Sequence, residues 1–160
     1  MGFQLGSRSI AKLEGVDERM QAVVRAAIAQ SKQDFSVICG LRTIEEQRAL
    51  VEKGASKTMK SKHLDGLAVD LMAYDSSMSP AGRWELNLYD EIADAMAKAA
   101  KDLGVSVCWG ASWAVQGSSY PFDIRQWNGS MEDAMNSYVD LRRSQGKRPF
   151  IDAPHFELIV

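Results

Sequence analysis

Between Asp17 and Gln30 the apolar residues Met20, Val23, Val24, Ala27 and Ile28 recur at helical spacing, so the segment reads as a helix with one face in the core. Asp17 supplies its N-cap, because a side-chain oxygen there can accept from the free N–H groups of the first turn. The run Phe35 to Gly40 has the short apolar character of a strand. Leu41, Arg42 and Thr43 lead out of it, and Thr43 with Glu46 forms a capping box for a helix that Gly54 stops. Arg42 is thereby left on a strand-to-helix loop. Gly66 then precedes a strand-like run, Leu67 to Tyr74, whose alternation puts Ala68, Asp70 and Met72 on one face and Val69 and Leu71 on the other. A long helix from about Glu85 to Leu103 follows, with Tyr89, Ile92, Met96 and Leu103 helically spaced and Gly104 closing it. Val105 to Trp109 reads as another strand. Gly110 to Gly129 sets Trp113, Tyr120, Phe122 and Trp127 among Gly, Ser, Pro and Asn, which predicts a long ordered loop of the kind that often carries function. Ser130 with Asp133 caps a last helix to about Arg143, and Phe156 to Val160 reads as a terminal strand. Helices and strands mix without strict βαβ alternation, so the expected fold class is α+β, a small antiparallel-rich sheet flanked by helices.

The chain has 160 residues and no internal repeat, low-complexity tract or linker, so a single domain over residues 1–160 is expected. Its formal net charge of -2 lacks the basic excess that nucleic acid binding requires, and a nucleic acid partner is excluded. Membrane insertion is excluded too, since Arg25 interrupts the richest apolar stretch, Ala22 to Ala29. The first ten residues carry Arg8 alone as a basic residue and no apolar core, so they do not form a secretory signal, and the chain is expected to begin its life in the cytosol. Cys39 and Cys108 each lie in a strand-like run and are expected to be buried free thiols.

The chemistry concentrates on the only two histidines, His63 and His155, each close to carboxylates. Asp70 is a carboxylate among apolar strand positions, an arrangement that demands pairing or a metal. His63 lies on the loop just before, and Gly66 lets that loop turn back so the imidazole reaches the same face. Around His155 the order is Asp152, Ala153, Pro154, His155, Phe156, Glu157, and Pro154 keeps this stretch extended. Two histidines and one aspartate make the three-ligand composition of a catalytic zinc site, with a position left for water. Asp152, three residues before a ligand, can relay a proton to a leaving amine, and Arg42 can stabilise an oxyanion. Asp65 and Glu157 are alternatives for the acid, Glu157 also being a candidate support for His155. Ser61, Trp109 and Glu157 are the candidate substrate contacts. Taken singly, each of these residues also has a bland reading: a structural histidine, a hydrogen-bonded core aspartate, a surface arginine, a packing tryptophan. The pattern by itself therefore points to a metal and names no substrate.

The joint motif Ser-x-His-x-x-Gly-x-Ala-x-Asp (Ser61 to Asp70) and Asp-x-Pro-His-Phe-Glu (Asp152 to Glu157) resembles the D-alanyl-D-alanine carboxypeptidase and VanX/VanY group of metallopeptidases. It is most similar to the phage endolysin branch, the L-alanyl-D-glutamate peptidases. Gly40 to Thr43 and Trp109 to Trp113 extend the likeness, which runs from about residue 36 to the end. The resemblance implies the zinc peptidase fold of the hedgehog and D-Ala-D-Ala peptidase type, with His63, Asp70 and His155 as Zn2+ ligands, Asp152 as base and Arg42 as the transition-state arginine. It implies a peptidoglycan stem peptide as substrate and a monomeric enzyme that waits in the host cytoplasm until a holin opens the membrane, then acts on the wall. No separate wall-binding domain is expected. One departure stands out: Ala111 replaces the second glycine of the usual Trp-Gly-Gly-x-Trp, which puts that backbone in question if the position needs positive φ.

Overall fold

The computed structural model describes residues 2–160. Twelve short segments follow in chain order: α1 (Ser7–Lys12), α2 (Glu18–Gln30), β1 (Phe35–Cys39), α3 (Ile44–Glu52), a 3-10 turn (Lys62–Asp65), β2 (Ala68–Tyr74), β3 (Gly82–Arg83), α4 (Leu86–Leu103), β4 (Val107–Trp109), a second 3-10 turn (Ile124–Gln126), α5 (Met131–Ser144) and β5 (His155–Leu158). The local stop and start signals act as their chemistry dictates. Asp17 accepts from Arg19 N, Thr43 and Glu46 close a reciprocal capping box, Ser130 accepts from Asp133 N, and Gly104 ends α4 in the left-handed region.

The strands form one antiparallel sheet in the order β1-β2-β5-β4, with β3 added to the far end of β2. Alternation along β2 sends Val69, Leu71 and Ala73 into the core, where Met20, Val23 and Ala27 of α2 and Tyr89, Ile92 and Met96 of α4 meet them. Each large apolar side chain buried there contributes about 1.5–3 kcal/mol. The opposite face of β2 carries Asp70. Strand register then does the positioning: Asp70 pairs with Cys39 of β1 on one side and with His155 of β5 on the other. Three chemically active side chains from distant parts of the sequence are thus aligned in a row.

Three features depart from the sequence reading. Helix α1 and strand β3 are too short to announce themselves by periodicity, and α1 is fixed by a tertiary bond in which Val37 N donates to the buried hydroxyl of Ser9 (3.0 Å). The terminal strand ends at Leu158, and β4 begins only at Val107. Ala111 raises no backbone difficulty, because among the described residues positive φ occurs only at glycines, and its side chain is buried in the core. Gly110 is the position that needs to be bare: a Cβ there would lie 2.1 Å from the carbonyl oxygen of Asp152.

Candidate metal centre

His63 is placed by its local turn. The hydroxyl of Ser61 accepts from His63 N (3.2 Å), and Gly66, at φ 68°, closes the turn in the left-handed region. The ring is buried, and its Nδ1 lies 2.9 Å from the carbonyl oxygen of Gly40. A carbonyl can only accept, so Nδ1 carries a proton and Nε2 is left facing Asp70. His155 is set the opposite way round. Its Nε2 lies 2.8 Å from Glu157 Oε1, a carboxylate that holds the proton there and leaves Nδ1 turned to the site.

These two nitrogens converge on one oxygen. His63 Nε2 and His155 Nδ1 are each 3.3 Å from Asp70 Oδ1. A charge-assisted hydrogen bond would draw such a pair to about 2.7–2.9 Å. Ligands on a tetrahedral zinc, with bonds of about 2.0–2.2 Å, sit about 3.3–3.5 Å apart. The chemistry of the donor set therefore fits a metal ion, and each histidine nitrogen stands at ligand spacing from Asp70. Without one, protons fill the gap: burial works against the imidazolium of both rings, but the hydrogen bonds to Asp70, with those to Cys39 and Glu157, win and raise His63 to about 10 and His155 to about 9. Burial likewise opposes the Asp70 carboxylate, and the two histidines hold its pKa well below the usual range.

Arg42 and Asp152 flank this centre. Arg42 donates from Nη1 to Gln47 Oε1 (2.7 Å) and from Nη2 to Cys39 Sγ (3.2 Å), while Nη2 stands 3.7 Å from the second oxygen of Asp70. Asp152 is held by backbone bonds, its N–H donating to Gly110 O (2.7 Å) and its carbonyl accepting from His155 N (3.0 Å). Burial pushes the Asp152 carboxyl above its ordinary value, aided by the charge of Asp70 and opposed by His155, His63 and Arg42. Such a carboxyl takes up a proton more readily than a free aspartate does.

The other expected site residues lie elsewhere or act differently. Trp109 is fully buried and cannot touch a substrate; its Nε1 donates to Ala153 O (2.7 Å) and so braces the turn before His155. Trp113 is the tryptophan beside the site, its ring 5.4 Å from that of His155. Glu157 is buried too, clamped between His155 and the hydroxyl of Tyr120, which donates to its Oε2 (2.6 Å). The Ser61 hydroxyl is engaged as the cap of the His63 turn, and Asp65 is exposed on that turn's outer side. Both cysteines are free, but Cys39 is only half-buried. It shares a cluster with His63 and Asp70 whose potential ligand atoms lie within 4.8 Å of one another. Its sulfur sits 3.5 Å from His63 Nδ1, the nitrogen already given to Gly40, and it receives Arg42. Sequence reasoning missed this residue and Gln47, whose fully buried amide also donates to Thr58 O (2.6 Å) and Ser56 Oγ (2.9 Å). A glutamine in a helix announces no such burial; the fold of the Ser56–Thr58 loop creates it.

Among described residues no helix is long and apolar enough to cross a membrane. Comparison with known proteins gives a consistent picture. A chain similar to this one is the L-alanyl-D-glutamate peptidase of Escherichia phage T5, 31% identical over 121 residues, which span 73% of this chain and 86% of the relative. The peptidase of the same name from Listeria phage A118 is 33% identical over 112 residues, 68% of this chain but only 37% of that longer protein. Among solved structures, the Serratia marcescens L-Ala D-Glu endopeptidase ChiX superposes with a TM-score of 0.66 at 31% identity, covering 96% of this chain and 87% of ChiX. The profile of the phage L-alanyl-D-glutamate peptidases matches residues 1–159, and the chain belongs to that family.

Proposed function

We propose that this chain is a zinc-dependent endopeptidase that hydrolyses the amide bond between L-alanine and D-glutamate in peptidoglycan stem peptides, as the lytic enzyme of a phage. His63, Asp70 and His155 are the metal ligands in this reading, Asp152 the proton carrier and Arg42 the charge stabiliser. The observation that carries it is the convergence of two ring nitrogens, their tautomers set by Gly40 and Glu157, on one oxygen of Asp70 at 3.3 Å. Family membership supplies the substrate class. Bound zinc would supply a Lewis acid that polarises a carbonyl and lowers the pKa of a water to about 7. Asp152 takes a proton from the attacking water as the carbon–oxygen bond forms, then gives it to the nitrogen of the D-glutamyl residue as the carbon–nitrogen bond breaks. Arg42, held by Gln47 and Cys39, offers its remaining N–H groups to the oxygen that becomes negative. The whole chain acts as one catalytic unit and as a monomer, reaching the wall from the host cytoplasm once a holin has opened the membrane.

The test is Asp152→Asn. The variant should bind one zinc per chain, as measured by atomic absorption, and lose at least about 100-fold in kcat on a stem peptide. Full activity in this variant would remove Asp152 from the mechanism, and release of free D-alanine by the parent enzyme would replace the proposed bond with another.

A further inference from the structure

Next to the metal centre lies a groove of about 590 Å³ that the mechanism does not use. Trp113 and Tyr120 form its wall on the side of the site. Both belong to the centre as well, Trp113 through its packing on the His155 ring and Tyr120 through its bond to Glu157. The groove therefore adjoins the centre through these two side chains. Phe150, stacked on Trp113 with ring centroids 6.2 Å apart, continues the aromatic wall toward Arg142 and Lys147.

The charge of this groove is one-sided. Arg142 and Lys147 line it and no carboxylate does, in a chain whose net charge is negative. Neither cation forms a salt bridge with any described residue. Arg142 Nε is moreover buried without a hydrogen-bond partner, a state that carries a cost unless a ligand completes it. A guanidinium beside an aromatic wall suits a planar carboxylate on a peptide.

The chemistry of the substrate says which half of it brings that carboxylate. Glutamate has two carboxyl groups, and a chain that continues from one of them leaves the other free. The L-alanine side has its carboxyl in the scissile amide and so offers no such charge. We infer that this groove binds the leaving segment of the stem peptide, from the D-glutamyl residue onward, and that Arg142, with Lys147, selects for its free carboxylates. This inference rests on the function proposed above.

The experiment uses the zinc-loaded full chain and two synthetic peptides of the same sequence, acyl-L-Ala-D-Glu followed by one further residue. One keeps the carboxylates of the leaving segment free and the other carries them as carboxamides. The parent enzyme should cleave the carboxylate form with a KM lower by about tenfold or more. Arg142→Gln should erase most of that preference by raising KM for the carboxylate form alone. Lys147→Gln, at an exposed position whose loss does not threaten folding, should reduce it in the same sense. A preference that survives in both variants would overturn the assignment, as would a parent enzyme that treats the two peptides alike. Cleavage of neither peptide at an L-Ala-D-Glu bond would strike the proposed function itself and take this inference with it.

Discussion

Glu157 offers the sharpest test of how the second histidine is held. Its carboxylate fixes the proton of His155 on Nε2 at 2.8 Å and accepts the Tyr120 hydroxyl at 2.6 Å, both in a buried setting. Glu157→Gln keeps the size and one carbonyl acceptor but removes the charge that favours a basic, correctly turned imidazole. Loss of such an outer partner costs about 10–100-fold in metal affinity, which is about 1.4–2.7 kcal/mol. Since the glutamine retains an acceptor for His155, the expected effect is near tenfold. Glu157→Ala should reach the upper end, because it also strands the Tyr120 hydroxyl and the His155 N–H, and should lower folding stability by about 1–3 kcal/mol. Zinc affinity measured by competition with a chromophoric chelator reads the first effect, and thermal denaturation of the metal-free protein reads the second. Unchanged zinc affinity in both variants would refute the reasoning, since it would mean that His155 does not depend on Glu157 for its orientation or is not a ligand.

Other consequences follow from the same contacts. Gln47→Leu deprives Arg42 Nη1 of its acceptor and Thr58 O of a donor; kcat should fall by about 10–100-fold with little change in KM, and Gln47→Glu, which keeps the acceptor, should recover part of the loss in a steady-state assay. Asp90 of α4 is buried with Oδ1 unpartnered, and burial, together with Glu132, Asp94 and Glu91, raises its pKa to about 7. Between the unfolded value of about 3.9 and that value the native state keeps a proton that the unfolded state has lost, so this group makes the protein less stable as pH rises through that window. Asp90→Asn should therefore raise the stability at pH 8 by on the order of 2 kcal/mol and have little effect at pH 4, as read by urea denaturation at the two pH values.

What could be read from the sequence was whatever is written locally. The caps at Asp17, Thr43 and Ser130 involve partners within three residues, and the core faces of α2 and β2 follow from spacing alone. The candidate metal centre was legible because scarce histidines sit in two compact motifs. What decides its chemistry is not local. The His63 tautomer depends on Gly40 O, more than twenty positions away, and Glu157, which sets the His155 tautomer, is itself held by Tyr120 from a distant part of the chain. The apolar run Phe35 to Cys39 predicts a buried free thiol at Cys39, as a regular strand would place it. A register shift between Val37 and Cys39 pairs Cys39 with Asp70, on the face where Arg42 donates to its sulfur. Trp109, expected as a substrate contact, is displaced from the site by burial of its strand. All three residues of β4 are buried, so Trp109 is enclosed, while Trp113, past the end of the strand, reaches the site.

The most direct test is digestion of purified peptidoglycan with and without a chelator, followed by mass spectrometry of the new amino termini. The account predicts a new terminus on the D-glutamyl residue that disappears with chelator and returns when zinc is restored. A D-glutamyl terminus that forms equally well in chelator would contradict the assignment of His63, Asp70 and His155 to a catalytic metal, and no D-glutamyl terminus from the zinc-loaded protein would contradict the proposed reaction.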